Sequence, residues 1–172
     1  LKSDTNTVYT RSITNPLGAV KYINQGENNT VYLLQATDTD SPYLAAGQYR
    51  SYKGNAGKSK VTIGRVKRNL GNKSHVGLIA TNRDYQVGGS GSVVEFDSLI
   101  NILDDYTLDL NYARSDTQEG NVNFIETDDT FAGRTYAMDG ESFSGTAKNI
   151  RLRWAVDKAN AGIRFSDVSP TY

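Results

Sequence analysis

The sequence predicts an all-β fold, an antiparallel up-and-down meander of about eight strands rolled into a β-barrel or a strongly curved sheet. Three observations predict it. Apolar residues recur at period two far more often than at helical spacing. The 172 residues include 16 glycines and 11 tyrosines but only 3 prolines, a composition that suits strands and tight turns better than helices. Finally, short clusters of Gly, Asn and Asp interrupt the alternating runs where a hairpin would need them.

Taken in order, strands are expected at residues 17–24, 30–38, 58–68, 74–85, 92–100, 105–114, 147–156 and 161–168. The first two meet through Gln25 to Asn29, and the third and fourth through Asn69 to Lys73, where Gly71 supplies the left-handed backbone angle. The tight turns Asn101 to Asp104 and Asp157 to Asn160 join the last two pairs. Longer connections fall between them at 39–57, 86–91 and 115–146. Short and long connections therefore alternate, the order of an outer-membrane barrel with tight periplasmic turns and long external loops.

Alternation is cleanest in two strands. Leu108, Leu110 and Tyr112 share one face against Asp109, Asn111 and Ala113, and Ile150, Leu152, Trp154 and Val156 oppose Arg151, Arg153 and Ala155. Ala161, Ile163 and Phe165 continue the apolar side opposite Arg164. Residues 60–68 break the pattern, because Val61, Ile63 and Val66 change face at Gly64. Either a bulge resets the register there, or that strand has no continuous apolar side.

The chain length suits one domain, 1–172, which a membrane reading makes either a barrel or a fragment of a larger one. Balanced charge, 19 basic against 19 acidic residues, gives no long-range field for nucleic acid. Cysteine is absent and histidine occurs once, which removes thiolate chemistry and cysteine-ligated zinc and leaves little for a metal or a catalytic triad. No run of 18 apolar residues is present, so no membrane helix is expected, whereas a spanning strand leaves no such signal.

Candidate chemistry is sparse. His75 beside a turn reads as solvated, and Gly88 to Ser92 matches neither a nucleophile elbow nor a dinucleotide loop, so it reads as a flexible connection. Asp38 with Asp40, and Asp128 with Asp129, lack the spacing of a calcium loop and read as solvated acids. Arg65, Lys67, Arg68 and Lys73 form a basic knot suited to a hairpin end facing water or lipid phosphate. Glu95 and Asp97 share a strand face about 7 Å apart, a separation an inverting glycosidase could use. The cheaper account pairs these acids with Arg151, Arg153 and Arg164 inside a narrow barrel that also encloses Asp109 and Asn111. Tyr22, Tyr32, Tyr85, Tyr106 and Tyr112 lie where an interfacial girdle would need aromatic rings.

The run GRVKRNLGNKSHVGLIATNRDY, with PLGAVKYINQGENNTVYLLQATDTDSP before it and GIRFSDVSPTY at the end, carries a family resemblance. It resembles the barrel segment of a large bacterial family in which a carbohydrate-binding family 9 type domain precedes an outer-membrane β-barrel of unknown function. The similarity is diffuse and spans most of the chain from Pro16 to Tyr172. The carbohydrate-binding domain has no counterpart here, and the chain stops at SPTY where family members continue, so two bare sheet edges are expected unless they close, self-associate or are covered. The resemblance implies a fold and a Gram-negative outer-membrane or cell-surface location, and offers no catalytic motif.

The expected function is therefore non-enzymatic: an outer-membrane barrel or barrel segment in contact with lipid, with a charged lumen face and long surface loops, linked to carbohydrate binding or uptake. Neither cofactor nor metal is expected. The alternative is a soluble β-sandwich or open-sheet module that binds a glycan or protein through Tyr43, Tyr49, Tyr52 and the 115–146 loop. A hydrolase using Glu95 and Asp97 is a third reading.

Overall fold

The computed structural model describes residues 13–46, 51–103, 105–122 and 129–172. Eight strands form one antiparallel sheet in which sequence neighbours are also spatial neighbours. They are β1 (Pro16–Gln25), β2 (Asn29–Asp38), β5 (Ser59–Gly71), β6 (Ser74–Tyr85), β7 (Ser90–Ile102), β8 (Tyr106–Gln118), β11 (Ser142–Val156) and β12 (Ala159–Val168). Two further hairpins, β3 (Pro42–Ala46) with β4 (Ser51–Asn55) and β9 (Thr130–Phe131) with β10 (Arg134–Thr135), are built into the long connections. The eight expected strands are all present, mostly longer than the alternation alone indicated. The two loop hairpins carried no readable alternation, being only five and two residues per strand.

All four tight turns lie at one end of the sheet. Between β5 and β6, Gly71 takes φ 83°, and Asn72 and Lys73 take φ 44° and 54°, the doubly left-handed geometry that matches the twist of the flanking strands. The connection between β6 and β7 is shorter than expected, Gln86 to Gly89, because β7 already begins at Ser90. It is also tightly packed rather than loose: a Cβ on Gly89 would lie 2.5 Å from the Gly120 nitrogen. Gly88 and Gly89 have φ near +90°, so the sequence needs glycine here for both conformation and space.

No bulge interrupts β5 at Gly64: pairing with β2 runs unbroken from Ser59 to Arg68, and the irregularity falls later, between Asn69 and Gly71. Val61, Ile63 and Arg65 face one way, whereas Lys60, Thr62 and Val66 face the other. The change of apolar side is thus a change along the strand's length. The outward face of β5 is polar near the long loops, through Lys60 and Thr62, and carries Val66 and Leu70 with Arg68 between them toward the tight turn.

The sheet is open. Among the described residues β1 pairs only with β2 and β12 only with β11, and all ten residues of each edge strand are exposed. Among the described residues, the extensive contacts run between strand neighbours and between the two halves of each loop hairpin, and β3 also meets β6 through Tyr43 and Tyr85. Among the described residues no second layer packs on either face, so the deep burial of one face comes from side chains converging toward the inside of a curved sheet.

Candidate functional site

Register across the sheet sorts the side chains into two populations. Outward go Leu33 from β2, Val66 from β5, Leu78 from β6, Val94 and Phe96 from β7, Tyr112 from β8 and Ile150 and Leu152 from β11, all classed among the exposed large hydrophobics. Ile163 and Phe165 extend this surface onto β12. Along β7 the outward positions Val94, Phe96, Ser98, Ile100 and Ile102 cover about 27 Å of strand at the usual rise. Nearer the long loops the same face turns polar through Lys60, Asn82, Asp84, Ser92, Arg114, Asp116 and Asp167. Arg114 and Asp116 pair there at 2.9 Å in the open.

Inward go the groups that globular proteins usually leave in water. Glu95 is 0 % exposed between Ile79 on β6 and Ala113 on β8, and Asp97, Asp109 and Asn111 are buried beside it. Asp97 lies directly opposite Gly77, and a Cβ at Gly77 would stand 2.6 Å from its Oδ1. The missing side chain opens the space through which Arg65 reaches diagonally from β5, its Nη2 donating to Asp97 Oδ2 at 3.0 Å. His75 Nε2 approaches the same oxygen at 3.4 Å. Farther along the row, Asn111 Nδ2 donates to Asp109 Oδ1 at 2.7 Å, and Arg164 Nε donates to Asn149 Oδ1 at 2.6 Å.

Of the residues expected to line the interior, Glu95, Asp97, Asp109 and Asn111 are enclosed and Arg151 is half-buried. Arg153 and Arg164 have the inward register but are exposed, because β12 is an open edge with no strand beyond it to shelter them. The base that neutralises Asp97 is Arg65 rather than the arginines of β11 and β12, while burial and then the nearby charge of Lys67 hold the His75 imidazole below its ordinary value, so that it stands beside Asp97 mainly as a neutral ring. The sequence places Arg65 in a basic knot facing water or lipid phosphate and reads His75 as solvated. Arg65 instead has a side chain only 9 % exposed. Asp38 likewise proves buried, accepting hydrogen bonds from Thr14 N and Asn15 N with Arg83 at 3.7 Å, while Asp40 is exposed. Asp128 lies outside the described residues.

The long loops gather at the other end. Tyr43 meets Tyr85 edge to face at 6.3 Å, and Tyr136 is buried against Tyr43, Tyr52 and Phe131. Tyr52 hydrogen-bonds Asp129. A cavity of about 230 Å³ lies beneath, with Tyr43, Tyr85, Phe143 and Tyr172 among its walls and Ser115, Thr117 and Gln118 adding polar groups. Tyr43 is thus a cavity wall, Tyr52 packs beside it in the aromatic cluster, and Tyr49 lies outside the described residues. Burial and the neighbouring Glu119 carboxylate push the Tyr43 phenol up to about 12. Burial, followed by the nearby charge of Glu141, raises Glu119 above the ordinary glutamate value. Of the five tyrosines expected in a girdle, Tyr22, Tyr106 and Tyr112 face outward; Tyr32 and Tyr85 pair with the inward positions Arg65 and Ser59.

This arrangement offers hydrogen bonding and charge. Glu95 and Asp97 sit two residues apart on one inward face, and Asp97 is held in an ion pair. Comparison with protein-family models, curated proteins and solved structures returned no match.

Proposed function

We propose that the chain forms the wall of a non-enzymatic outer-membrane β-barrel, with lipid against its apolar outward face and solute or water against its charged inward face. One observation carries this reading: the sidedness is inverted relative to a soluble domain. Leu33, Val66, Leu78, Val94 and Phe96 are exposed on one side, while Glu95, Asp97, Asp109 and Asn111 are buried on the other. The buried apolar groups of the inward face, Val61, Ile63, Ile79 and Ala113 among them, are interleaved with Arg65, Glu95, Asp97 and Asn111, a thin apolar centre for a sheet standing in water. Among the described residues the hydrophobic cluster is one buried tyrosine and its three neighbours, at the loop end. Hydrocarbon on the outside supplies the missing apolar contact, and the outward band on β7 is comparable with the ~25 Å apolar belt of such barrels before tilt is considered.

A bilayer also sets a condition. Unpaired backbone groups on an open strand cost several kcal/mol each in hydrocarbon, so β1 and β12 must pair, with each other or with another copy. The charged lumen and the loops would then govern what passes or binds, by pairing with solute rather than by bond-making chemistry.

The test is the state of the purified chain with and without detergent. Monodisperse particles only in detergent or lipid bear the reading out. A monodisperse, folded chain in plain buffer contradicts it and favours the second reading, a soluble module whose aromatic loop cavity takes a glycan. The observation on that side is the cavity bounded by Tyr43, Tyr85, Phe143 and Tyr172, since sugar rings stack on aromatic faces while hydroxyl and amide groups orient them.

A further inference from the structure

At the loop end, outside the inward row, stand three more acids. Glu119 follows β8, and Asp139 and Glu141 precede β11. Backbone hydrogen bonds hold these two segments side by side: Glu119 N donates to Glu141 O at 2.9 Å, Val122 N donates to Met138 O at 3.0 Å, and Asn121 forms an antiparallel bridge with Asp139. Each acid offers a carboxylate oxygen, and these oxygens lie within 4.8 Å of one another.

Three neighbouring carboxylates on a surface would be an ordinary solvated cluster. Glu119 is different. It is only 3 % exposed, and its Oε2 is buried without a hydrogen-bond partner. The other oxygen, Oε1, has Arg134 at 3.9 Å, a guanidinium that also lies 4.2 Å over the Phe143 ring. Among the described residues Arg134 is the base paired with these three acids, and the Glu119 carboxylate also accepts from the Tyr43 hydroxyl and the Asp139 backbone N–H. A buried carboxylate oxygen lacking any donor is costly, and like charges raise the cost further. A bound cation removes both penalties at once.

We propose that Glu119, Asp139 and Glu141 hold one divalent metal ion of the hard, oxygen-seeking class, calcium being the best match. The donors are all carboxylate oxygens, with neither nitrogen nor sulfur to favour zinc or copper. Three carboxylates on two loop segments suit the flexible, high coordination of calcium, with loop carbonyls and water completing the shell, better than magnesium, which keeps several waters and takes only one or two carboxylates. Such an ion would tie the start of the loop after β8 to its end before β11. It would thereby fix the segment carrying Arg134 and Tyr136 over the cavity. The site stands whether the sheet is in lipid or in water.

The full chain, stripped with chelator and kept in whatever medium holds it monodisperse, is titrated with calcium chloride and, separately, with terbium. Terbium emission sensitised by tyrosine is a direct readout, because the Tyr43 hydroxyl hydrogen-bonds Glu119. The expected result is saturable binding of one ion, with a rise in thermal midpoint, weakened at least tenfold by Glu119→Gln and by Asp139→Asn and unchanged by Asp116→Asn. Asp139 is exposed, so Asp139→Asn remains informative if Glu119→Gln does not fold. Absence of saturable binding up to about 10 mM calcium, well beyond the range of extracellular calcium modules, overturns the proposal. So does binding that Asp139→Asn leaves intact.

Discussion

Leu78 sits in the middle of the outward face, half exposed, with Val66 on β5 and Phe96 on β7 as its cross-strand partners. Replacing it with arginine separates the two environments that this face could occupy. If the face is in water, Leu78→Arg forfeits roughly half of the ~1.5–3 kcal/mol that complete burial of a leucine contributes, or about 1 kcal/mol. Part of that returns as the arginine stem lies across Phe96 and the guanidinium reaches solvent. If the face is in hydrocarbon, the charge costs about 2–4 kcal/mol near the midplane. Reversible urea unfolding from lipid vesicles, comparing the variant with the parent chain, gives the difference directly from the shift in midpoint at constant slope. A loss of 2 kcal/mol or more, falling toward zero when the same substitution is made at the outward loop-end position Asn82, follows from the lipid reading. A cost at Leu78 of about 1 kcal/mol or less, equal to that at Asn82, would refute it.

Three further variants test the inward row. Asp97→Ala strands the Arg65 guanidinium, whose side chain is 9 % exposed, and is expected to cost about 3–5 kcal/mol in denaturant unfolding. The paired change of Arg65 to Met with Asp97 to Leu is expected to cost far less, because no buried charge then lacks its partner. Gly77→Ala places a methyl group 2.6 Å from Asp97 Oδ1, so the carboxylate must move away from Arg65; a loss of about 1–3 kcal/mol is expected, and an unchanged midpoint would show that Asp97 does not depend on that gap.

Strand positions were legible because period-two alternation and Gly, Asn and Asp turns are local signals, and the β5 to β6 hairpin formed with Gly71 in the left-handed region as its sequence requires. The inward placement of Glu95, Asp97, Asp109 and Asn111 was legible for the same reason. What pairs with what was not. Arg65 and Asp97 are 32 residues apart, on strands that do not touch, and they meet only because Gly77 on the intervening strand has no side chain. Reading that requires the register of three strands at once. Asp38 looked solvated because its donors, the backbone N–H groups of Thr14 and Asn15, belong to no side-chain pattern. Glu119, Asp139 and Glu141 were missed because the acids that make the cluster come from two segments about 20 residues apart, joined by backbone bonds. The overestimated enclosure of Arg153 and Arg164 has a plain cause too: alternation gives the face of a residue, but its burial depends on whether another strand lies beside it.

The one tryptophan of the chain, Trp154, is set on the outward face of β11 between Tyr106 and Ala161, and so reports on the surface in question without any substitution. Its fluorescence, measured after reconstitution into vesicles with and without bromine on the acyl chains, tests the lipid contact most directly. Blue-shifted emission that brominated chains quench strongly is the predicted result. Emission typical of indole in water, equally bright in both kinds of vesicle, would contradict it.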